Sequence, residues 1–408
     1  MSDVLIGNSY ECSCGKMHEL PTKVVYKKGV INDTAEHIQE VFLQGNIAIC
    51  TAKHFEKYSE IVQKGLISKG YSVRTKSIES DTISVVCGCD FFMQLPECVR
   101  FLLGIGGGSI ADMVRLAAKK MEIDYALIVT SPSTDSYLSS HVENYNQIEN
   151  IKCNYPKMLI IDDDIIDKAP SRLVASGYGR VVSQIVNIFD TEFNKFSQIK
   201  SYCGETLEAL AREVHQFEID KEKPDFRKRL MEILLKISKA NEYMAIERSA
   251  VDTFSLLLTI SSEGHTQGEN SLIASYIVLN LYRSFLKSDG TDTLLPPDII
   301  KTLKLLEKYQ IINYNSYIKQ YEVTSVEGYL KQTFILSEYR RDLYELINDI
   351  DIGAMARFWR RLYNDAGYWL KNYLTNAQLM RCLSLSAELS ENTLLKHIKR
   401  IGFLEDFI

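Results

Sequence analysis

Apolar residues in the first 170 positions occur in short runs that are separated by segments with helical spacing. After the run 99–103, apolar residues recur at Ile110, Met113, Val114 and Ala117, which is the i, i+3, i+4, i+7 spacing of an amphipathic helix. Short apolar runs that alternate with helices predict parallel strands joined by crossover helices. The predicted strands cover residues 46–51, 70–75, 83–87, 99–103, 125–130 and 158–162.

From about Pro170 onward the pattern changes to longer segments with helical periodicity, and strand-like runs almost vanish. We therefore predict two domains, an α/β domain with a mostly parallel sheet over residues 1–170 and an all-helical domain over residues 171–408. The predicted helices of the second domain include residues 207–215, 226–240, 272–286, 299–309 and 355–373.

A glycine-rich segment at 104–112, Gly-Ile-Gly-Gly-Gly-Ser-Ile-Ala-Asp, joins the predicted strand 99–103 to the amphipathic helix. Glycine lets the backbone approach a ligand closely, and the first amides of a helix lie at its positive end without partners. A strand, glycine turn and helix in this order indicate a phosphate site, so residues 1–170 form a candidate Rossmann-like, dinucleotide-binding domain. The alternative is a plain tight turn, which glycine also favours.

Composition and charge exclude some classes of protein. The chain is 46% hydrophobic and 25% charged, and its net charge of −6 provides no basic surface for nucleic acid. No apolar run reaches the roughly 20 residues of a membrane helix, and the first residues lack the layout of a signal peptide. Nine scattered cysteines favour reduced thiols. We expect a cytoplasmic protein without a nucleic-acid or membrane partner.

The segment Cys12-Ser-Cys14-Gly-Lys-Met-His18 is the one cluster with the composition of a metal site. A zinc site needs about four ligands, and its first pair is usually separated by two to four residues rather than one. No second compact Cys/His pair follows this segment in the sequence. Sequence spacing therefore favours a structural role, with a metal site as the alternative.

Further segments in a fixed order carry a resemblance to a known family. They are Cys12–Pro21, the glycine-rich segment, Thr-Ser-Pro-Ser-Thr-Asp-Ser-Tyr at 130–137, residues 156–162 and residues 169–179. Together they resemble the iron-containing alcohol dehydrogenase and dehydroquinate synthase superfamily, and within it the bacterial glycerol-1-phosphate dehydrogenases. The resemblance implies the dehydroquinate synthase-like fold, with an α/β domain followed by a helical domain that holds metal and substrate.

The resemblance also implies roles for individual residues of the first domain. Thr130 and Ser133 would contact the cofactor, NAD or NADP, and Asp135 would reach the substrate hydroxyls. From the residues alone, the alternative for these hydroxyl and carboxyl groups is ordinary capping and turn formation. The residues expected around the cofactor phosphates are Gly106, Gly107, Gly108, Ser109 and Asp112.

The choice between NAD and NADP stays open. Many relatives place an acidic residue after the strand that corresponds to 46–51, where it binds the ribose 2′-hydroxyl. This chain has Thr51-Ala52-Lys53 at that point, which loosens a preference for NAD.

The metal ligands of the family, one Asp and two His, are all replaced in this chain. The Asp of the family follows a Gly-x-Gly, and here Gly177-Tyr-Gly179 is followed by Arg180. Asp252 and Gln267 stand where the two histidines are expected. Arginine carries a permanent charge and no lone pair, so Arg180 cannot bind a cation.

Two hypotheses follow for this site. In the favoured one the metal is lost and Arg180 takes its space, paired with Asp252, because a buried charge needs a partner. In the other, a divalent metal survives on Asp252, His265 and Glu269, which offer oxygen and nitrogen donors.

We expect a glycerol-1-phosphate dehydrogenase-like, NAD(P)-dependent oxidoreductase that acts on a small phosphorylated polyol or ketone. The alternative is a catalytically inactive or repurposed homologue that binds a nucleotide or phosphorylated ligand. Besides Asp135, His141 is a candidate catalytic residue, as a proton donor shortly after the substrate segment, although a lone histidine is more often structural. By resemblance we also expect a homodimer.

Overall fold

A computed structural model describes most of the chain. The described residues are 9–78, 98–144, 149–196, 203–244, 249–262, 264–288, 326–362, 374–390 and 393–406, with single positions at 95, 300, 303, 304 and 307. The predicted strand 83–87 and most of the predicted helix 299–309 lie outside these residues, as does the end of the predicted helix 355–373.

The strands of the described residues form one large sheet and two hairpins. A parallel sheet contains six strands in the order β3-β10-β7-β6-β4-β5, while β1 pairs with β2 and β8 pairs with β9. The strands are β1 Ser9–Glu11, β2 Met17–Glu19, β3 Lys23–Tyr26, β4 Asn46–Ala52, β5 Ser72–Ile78, β6 Phe101–Gly106, β7 Asp124–Val129, β8 His141–Asn144, β9 Glu149–Lys152 and β10 Met158–Ile161.

The helices of the described residues fall mostly after the sheet in the chain. Short 3-10 helices cover Val30–Asp33 and Lys53–Phe55. The α-helices are α1 Thr34–Gln39, α2 Glu56–Ser68, α3 Gly108–Met121, α4 Asp163–Ile166, α5 Ser171–Phe196, α6 Gly204–Asp220, α7 Phe226–Met244, α8 Ala250–Ser261, α9 Gln267–Lys287, α10 Val326–Asn348, α11 Ile352–Leu362, α12 Asn376–Leu389, α13 Leu394–Arg400 and α14 Phe403–Asp406.

The chain divides into two compact units. The sheet unit comprises residues 1–144, 150–177 and 208–243, and the helical unit comprises residues 145–149, 178–207 and 244–408. An α/β part with a parallel sheet and a helical part are thus both present, as the sequence predicted. The single domain boundary at residue 170 stays a prediction.

The large sheet buries both of its faces, which explains why its strands are almost continuously apolar. On one face, Leu102 of β6 packs in a cluster with Val114 of α3. On the other face, Leu103 of β6 and Ile128 of β7 pack in a cluster with Leu66 of α2. Successive residues of a strand point to opposite faces, so both sides of β6 contribute to the core.

The helical unit has a core of its own. Buried apolar side chains of α5, α8, α9, α12 and α13 meet in one cluster. Representative members are Phe189, Phe254, Tyr282, Leu385 and Leu395. Within the part of the chain that the structure describes, no helix is both long and apolar enough to cross a membrane.

Candidate functional site

The glycine-rich segment lies at the carboxyl end of the sheet, but it divides differently from the sequence prediction. Gly104 and Gly106 belong to β6 itself, Gly107 is the N-cap of α3, and the helix begins at Gly108. Gly104 pairs with Cys50 of β4 and with Leu127 of β7. The predicted turn at 104–108 is therefore wrong in its extent, because the strand continues through its first glycines.

Close packing requires glycine at position 106 and leaves little space for a side chain at positions 107 and 108. A Cβ on Gly106 would lie 2.4 Å from Cγ1 of Ile110, a distance that real Cβ atoms do not show. A Cβ on Gly107 would lie 3.1 Å from Oγ of Ser131, and one on Gly108 would lie 3.0 Å from Cγ2 of Thr134. The turn and the segment after β7 thus approach each other more closely than larger residues allow.

The first turn of α3 is available to an anion. Gly107 has no side chain with which to cap the helix, so its first amides receive no hydrogen bond from the N-cap residue. The positive end of a 14-residue helix adds a favourable field for negative charge. This turn can therefore bind phosphate oxygens through backbone amides alone.

Thr130 follows β7 and contributes a buried hydroxyl beside the turn. Its backbone amide donates to the carbonyl of Gly106 at 3.2 Å. The residue is 1% exposed, and within the described residues its Oγ1 has no hydrogen-bond partner. A buried hydroxyl without a partner is costly, so each one in a native protein calls for an explanation. Thr130 is therefore a candidate donor to a ligand at the turn, and this role stays a prediction.

The loop after Thr130 is held by its own hydroxyl groups. Ser131 donates to Oγ of Ser133 at 3.1 Å, and Tyr137 donates to the carbonyl of Ser131 at 2.7 Å. Burial raises the pKa of Tyr137 to about 12, so its phenol stays a donor. Ser133 is half-buried with its Oγ 3.3 Å from the phenol oxygen of Tyr137, and Asp135 is buried with 6% of its surface exposed. These hydrogen bonds hold the loop in place beside the turn.

Asp112 points toward Arg115, one turn later on α3. Their side chains form an ion pair of 2.6 Å, and Arg115 is fully buried while Asp112 keeps 36% of its side chain exposed. Loss of hydration raises the pKa of Asp112, and the charge of Arg115 opposes that rise. Arg115 also donates to the carbonyls of Ser136 and His141. Through Arg115, Asp112 thus helps to hold α3 against the loop after β7. Its contact with a phosphate-side pocket stays a prediction.

His141 begins β8 and belongs to a second hydrogen-bond network. Its Nδ1 lies 3.4 Å from Oε1 of Glu242 and 3.1 Å from Oγ of Ser140. Glu242 also accepts from Tyr155 at 2.8 Å. Burial raises the pKa of Glu242, but hydrogen bonds from His141, Tyr155 and Ser140 outweigh burial and lower it to about 2. His141 is thus tied to an ionised carboxylate, and its catalytic role stays a prediction.

In the helical unit, Arg180 and Asp252 form a mostly buried ion pair. Nη1 of Arg180 donates to Oδ1 of Asp252 at 3.3 Å and to Oγ of Ser271 at 3.0 Å. Only 10% of the Arg180 side chain and 14% of the Asp252 side chain are exposed. The second oxygen of Asp252 accepts from Nδ2 of Asn187 at 3.2 Å and lies 3.1 Å from Oγ of Ser249.

A close helix crossing brings Arg180 to this position. A Cβ on Gly179 would lie 2.0 Å from the carbonyl oxygen of Gly268, so α5 and α9 touch through their glycines. The next residue along α5 is Arg180, which therefore reaches Ser271, one turn further along α9.

Gln267, His265 and Glu269 lie around the start of α9. Gln267 is the first residue of the helix and Thr266 is its N-cap. Glu269 is fully buried, and its Oε2 accepts from the amide of Thr266 at 2.6 Å, while the amide of Glu269 donates to Oγ1 of Thr266. This is a capping box, which accounts for Glu269 structurally. Among the described residues, Asp252, His265 and Glu269 do not come together as a cluster of donor atoms.

Comparisons with known proteins show what this chain is similar to. Residues 25–170 match the family model described as iron-containing alcohol dehydrogenase. A glycerol-1-phosphate dehydrogenase [NAD(P)+] of Methanococcoides burtonii is 26% identical over 309 residues, which cover 72% of this chain and 86% of the relative. One from Methanosarcina mazei is 30% identical, covering 48% of this chain and 56% of the relative.

The fold agrees with these sequence relatives. A crystal structure of a probable glycerol dehydrogenase from Sinorhizobium meliloti 1021 superposes with a TM-score of 0.58 at 15% identity, covering 94% of this chain and 97% of that one. The chain resembles the iron-containing alcohol dehydrogenases, and among them the glycerol-1-phosphate dehydrogenases.

The metal of the iron-containing alcohol dehydrogenase family does not fit the residues that this chain offers. By the resemblance, Arg180, Asp252 and Gln267 stand at the three ligand positions. The guanidinium of Arg180 donates to the carboxylate that would have to bind the ion, and a cation beside it would be repelled. Asn187 and Ser249 surround the other oxygen of that carboxylate. The ion pair thus occupies the ligands that a divalent cation would need.

Sequence reasoning missed three residues that organise these sites. Arg115 interrupts the apolar run 113–118 of α3, and a charged residue inside such a run is a signal for a buried ion pair. Glu242 and Asn187 gave no such signal, because their partners lie 101 and 65 residues away in the sequence.

Proposed function

We propose that this chain binds NAD or NADP at the turn between β6 and α3 and acts as an oxidoreductase on a small phosphorylated polyol or ketone. The observation that carries the proposal is the buried Thr130 hydroxyl, which lies beside uncapped helix amides and has no partner in the described residues. Polyol-phosphate specificity rests on the resemblance to glycerol-1-phosphate dehydrogenases.

Each part of the turn has a proposed task. The backbone around Gly106, Gly107, Gly108 and Ser109 would bind the pyrophosphate, because backbone amides and the helix dipole both favour anions. Thr130 and Ser133 would contact the cofactor from the loop after β7. The nicotinamide supplies the hydride, and Asp135 would bind a substrate hydroxyl.

We propose that the residues after β4, which would face the 2′-position of the cofactor's ribose, tolerate a 2′-phosphate. β4 ends at Ala52, and Lys53 begins the 3-10 helix that follows it. A lysine there does not repel a 2′-phosphate as a carboxylate would. We therefore expect NADPH to bind at least as tightly as NADH.

Binding of NADH and NADPH to the full chain, measured by calorimetry, tests the first part of the proposal. Thr130→Val keeps the shape of the side chain and removes the hydroxyl. Loss of one hydrogen bond should weaken binding roughly tenfold, which is about 1.4 kcal/mol. Thr34→Val is the matched control, because that hydroxyl is satisfied by the carbonyl of Val30. Equal binding by wild type and Thr130→Val would contradict the assignment.

Oxidation of NAD(P)H with dihydroxyacetone phosphate, with and without added divalent metal, tests the second part. Turnover that is independent of metal supports an oxidoreductase in which the ion pair of Arg180 and Asp252 replaces the family's metal. Absence of turnover under both conditions would overturn the dehydrogenase activity.

A second candidate function is binding without hydride transfer. It is favoured by the ion pair of Arg180 and Asp252, which removes the Lewis acid that polarises the substrate oxygen in the family. Tight cofactor binding without turnover would support it, and turnover would exclude it.

A further inference from the structure

The hydrogen bonds around Glu242 form a network within the sheet unit that the proposed function does not use. Glu242 lies on α7, and 9% of its side chain is exposed. Its carboxylate accepts from Oγ of Ser139 at 2.9 Å, from the amide of Ser140 at 3.1 Å and from the phenol of Tyr155 at 2.8 Å. Oγ of Ser140 also donates to Oε2 of Glu242 at 2.8 Å. Hydrogen bonds of this number favour the ionised carboxylate and fix its position.

These contacts decide which nitrogen of the His141 ring carries the proton when the ring is neutral. Nδ1 lies 3.4 Å from Oε1 of Glu242 and 3.1 Å from Oγ of Ser140. An ionised carboxylate can only accept, and the hydroxyl of Ser140 gives its one proton to Glu242. Both neighbours of Nδ1 are therefore acceptors, so Nδ1 is the nitrogen that donates. Nε2 then has a lone pair, which can take up a proton.

The second nitrogen of His141 is accessible to a ligand. The side chain of His141 is 39% exposed. Within the described residues, the hydrogen bonds of its ring both use Nδ1. The ring is thus held through one nitrogen, while the other lies on the opposite side of the ring from Glu242.

The loop that begins at Thr130 brings His141 to the side of α3. Nη1 of Arg115 donates to Oδ1 of Asp112 at 2.6 Å and to the carbonyl of His141 at 3.1 Å. Asp112 is the fifth residue of α3, which begins at Gly108. The backbone of His141 is therefore close to the first turn of α3, whose amides are proposed to bind the cofactor phosphates.

We propose that Nε2 of His141 donates the proton to the carbonyl oxygen of the substrate, and that Glu242 positions the ring. This role rests on the proposed oxidoreductase function, because it assigns a catalytic residue to that reaction. Hydride addition to the carbonyl carbon shifts the π pair of the C=O bond onto the oxygen, which takes the proton from Nε2. The products are an alcohol, an oxidised nicotinamide and a neutral imidazole, and a proton from solvent restores the imidazolium.

The carboxylate of Glu242 supports this role in two ways. A carboxylate beside Nδ1 fixes the tautomer and orientation of an imidazole, and it stabilises the positive charge that the ring carries while it is protonated. Burial raises the pKa of Glu242, but hydrogen bonds from His141, Tyr155 and Ser140 lower it to about 2. Glu242 is therefore ionised at neutral pH and acts on the substrate only through His141.

NMR of protein labelled with ¹⁵N-histidine tests the geometry without any activity. Neutral His141 should be the Nδ1–H tautomer, and its signals are assigned as those that disappear in His141→Ala. Glu242→Gln presents an amide instead of a carboxylate, so it should reduce the population of that tautomer and also lower kcat. An Nε2–H tautomer in wild type would overturn the proposal, as would unchanged kcat in Glu242→Gln.

Reduction of dihydroxyacetone phosphate by NADPH tests the role of His141 in catalysis. His141→Ala should lower kcat roughly 100-fold, and it should change KM and the affinity for NADPH by less than about threefold. Free imidazole in the buffer should raise kcat of this variant about tenfold, because the ring position is partly exposed. His37→Ala is the matched control, since Nδ1 of His37 lies 3.2 Å from Oε1 of Glu40 in a pair of the same type on α1. It should keep the wild-type kcat with and without imidazole.

The outcomes separate this role from the proposed function on which it rests. Turnover by wild type together with unchanged kcat in His141→Ala, or a loss that imidazole does not restore, would overturn the role of His141 and leave the oxidoreductase function intact. Absence of turnover by wild type would overturn both. If His141→Ala folds poorly, His141→Gln can still donate to Glu242, and its kcat should fall by a similar factor while its affinity for NADPH stays within about threefold of wild type.

Discussion

At the scale of single residues, the two units use arginine in the same way. Arg115 and Arg180 are both buried, and each is paired with a carboxylate on a neighbouring helical position or helix. Removing one partner of a buried pair leaves an uncompensated charge, which costs far more than the pair contributes when intact. These pairs are therefore sensitive points of the molecule, and the pair of Arg180 and Asp252 also links α5 to α8.

Arg180→Met removes one partner of such a pair and should therefore cost more stability than removal of both partners. It leaves Asp252 in a mostly buried position with only neutral donors, and we expect it to lower the free energy of unfolding by about 3 kcal/mol. The double variant Arg180→Met, Asp252→Asn removes both charges and should recover a large part of that loss. Urea denaturation of the two variants and wild type measures the difference. A double variant less stable than Arg180→Met would contradict the account.

At the scale of secondary-structure elements, α5 packs closely against backbone of neighbouring segments at its glycines. A Cβ on Gly177 would lie 1.8 Å from the carbonyl oxygen of Pro132, and backbone cannot give way as a flexible side chain does. The same helix meets Gly268 through Gly179. This single helix therefore fixes the loop after β7 in the sheet unit and the start of α9 in the helical unit.

Gly177→Ala should consequently displace the loop that carries Thr130 and Ser133. We expect a loss of stability of about 3 kcal/mol, at the upper end for overpacking, together with weaker NADPH binding. Gly353→Ala is the control, because its Cβ would meet only side-chain ends, Nη1 of Arg357 at 3.1 Å and Oδ1 of Asp351 at 3.4 Å, and no backbone. Thermal unfolding and calorimetric titration of both variants provide the measurement. Unchanged binding in Gly177→Ala would show that the loop does not support the cofactor.

The sequence predicted elements where periodicity is strong and missed them where it is weak. The strand predicted at 46–51 is β4, Asn46–Ala52, and the helix predicted at 226–240 is α7. Strands β1, β2, β8 and β9 were not predicted, because each has three or four residues and no continuous apolar run, unlike the four apolar residues of β10. The four-residue β3 was not predicted either.

The sequence predicted the parts of the candidate sites that lie within a local motif. It did not predict the contacts between residues that are distant in the sequence. The glycines beside α3 and the hydroxyl residues after β7 follow from such motifs, although β6 extends through Gly106. The partnership of His141 with Glu242 depends on packing between elements separated by 101 positions. No pattern of apolar spacing records a contact of that kind.

At the scale of the whole molecule, acid should destabilise the helical unit through His397. This side chain is fully buried, and within the described residues neither ring nitrogen has a hydrogen-bond partner. Burial, with a smaller effect of Arg340, lowers the pKa of His397 from 6.5 to about 4. The unfolded chain therefore binds a proton between these values while the folded chain does not.

Stability should accordingly fall as the pH decreases from about 6.5 toward 4, by about 1.4 kcal/mol per pH unit at most and roughly 3 kcal/mol in all. His397→Leu, which cannot be protonated, should flatten this part of the profile. Denaturant unfolding of both proteins at a series of pH values measures the slope. Parallel profiles for wild type and His397→Leu would contradict the assignment.

The pairing of Arg180 with Asp252 also restricts how this chain can change. Arg180→Asp alone would set two carboxylates against each other with no cation between them, and Asp252→His alone would face an imidazole toward a guanidinium. Each first step toward a metal-binding set costs stability, and only a simultaneous change at several positions avoids the loss. The ion pair therefore restricts single substitutions: with Arg180 paired to Asp252 and with Asn187 and Ser249 as surrounding donors, a change at one position alone leaves a buried group without its partner.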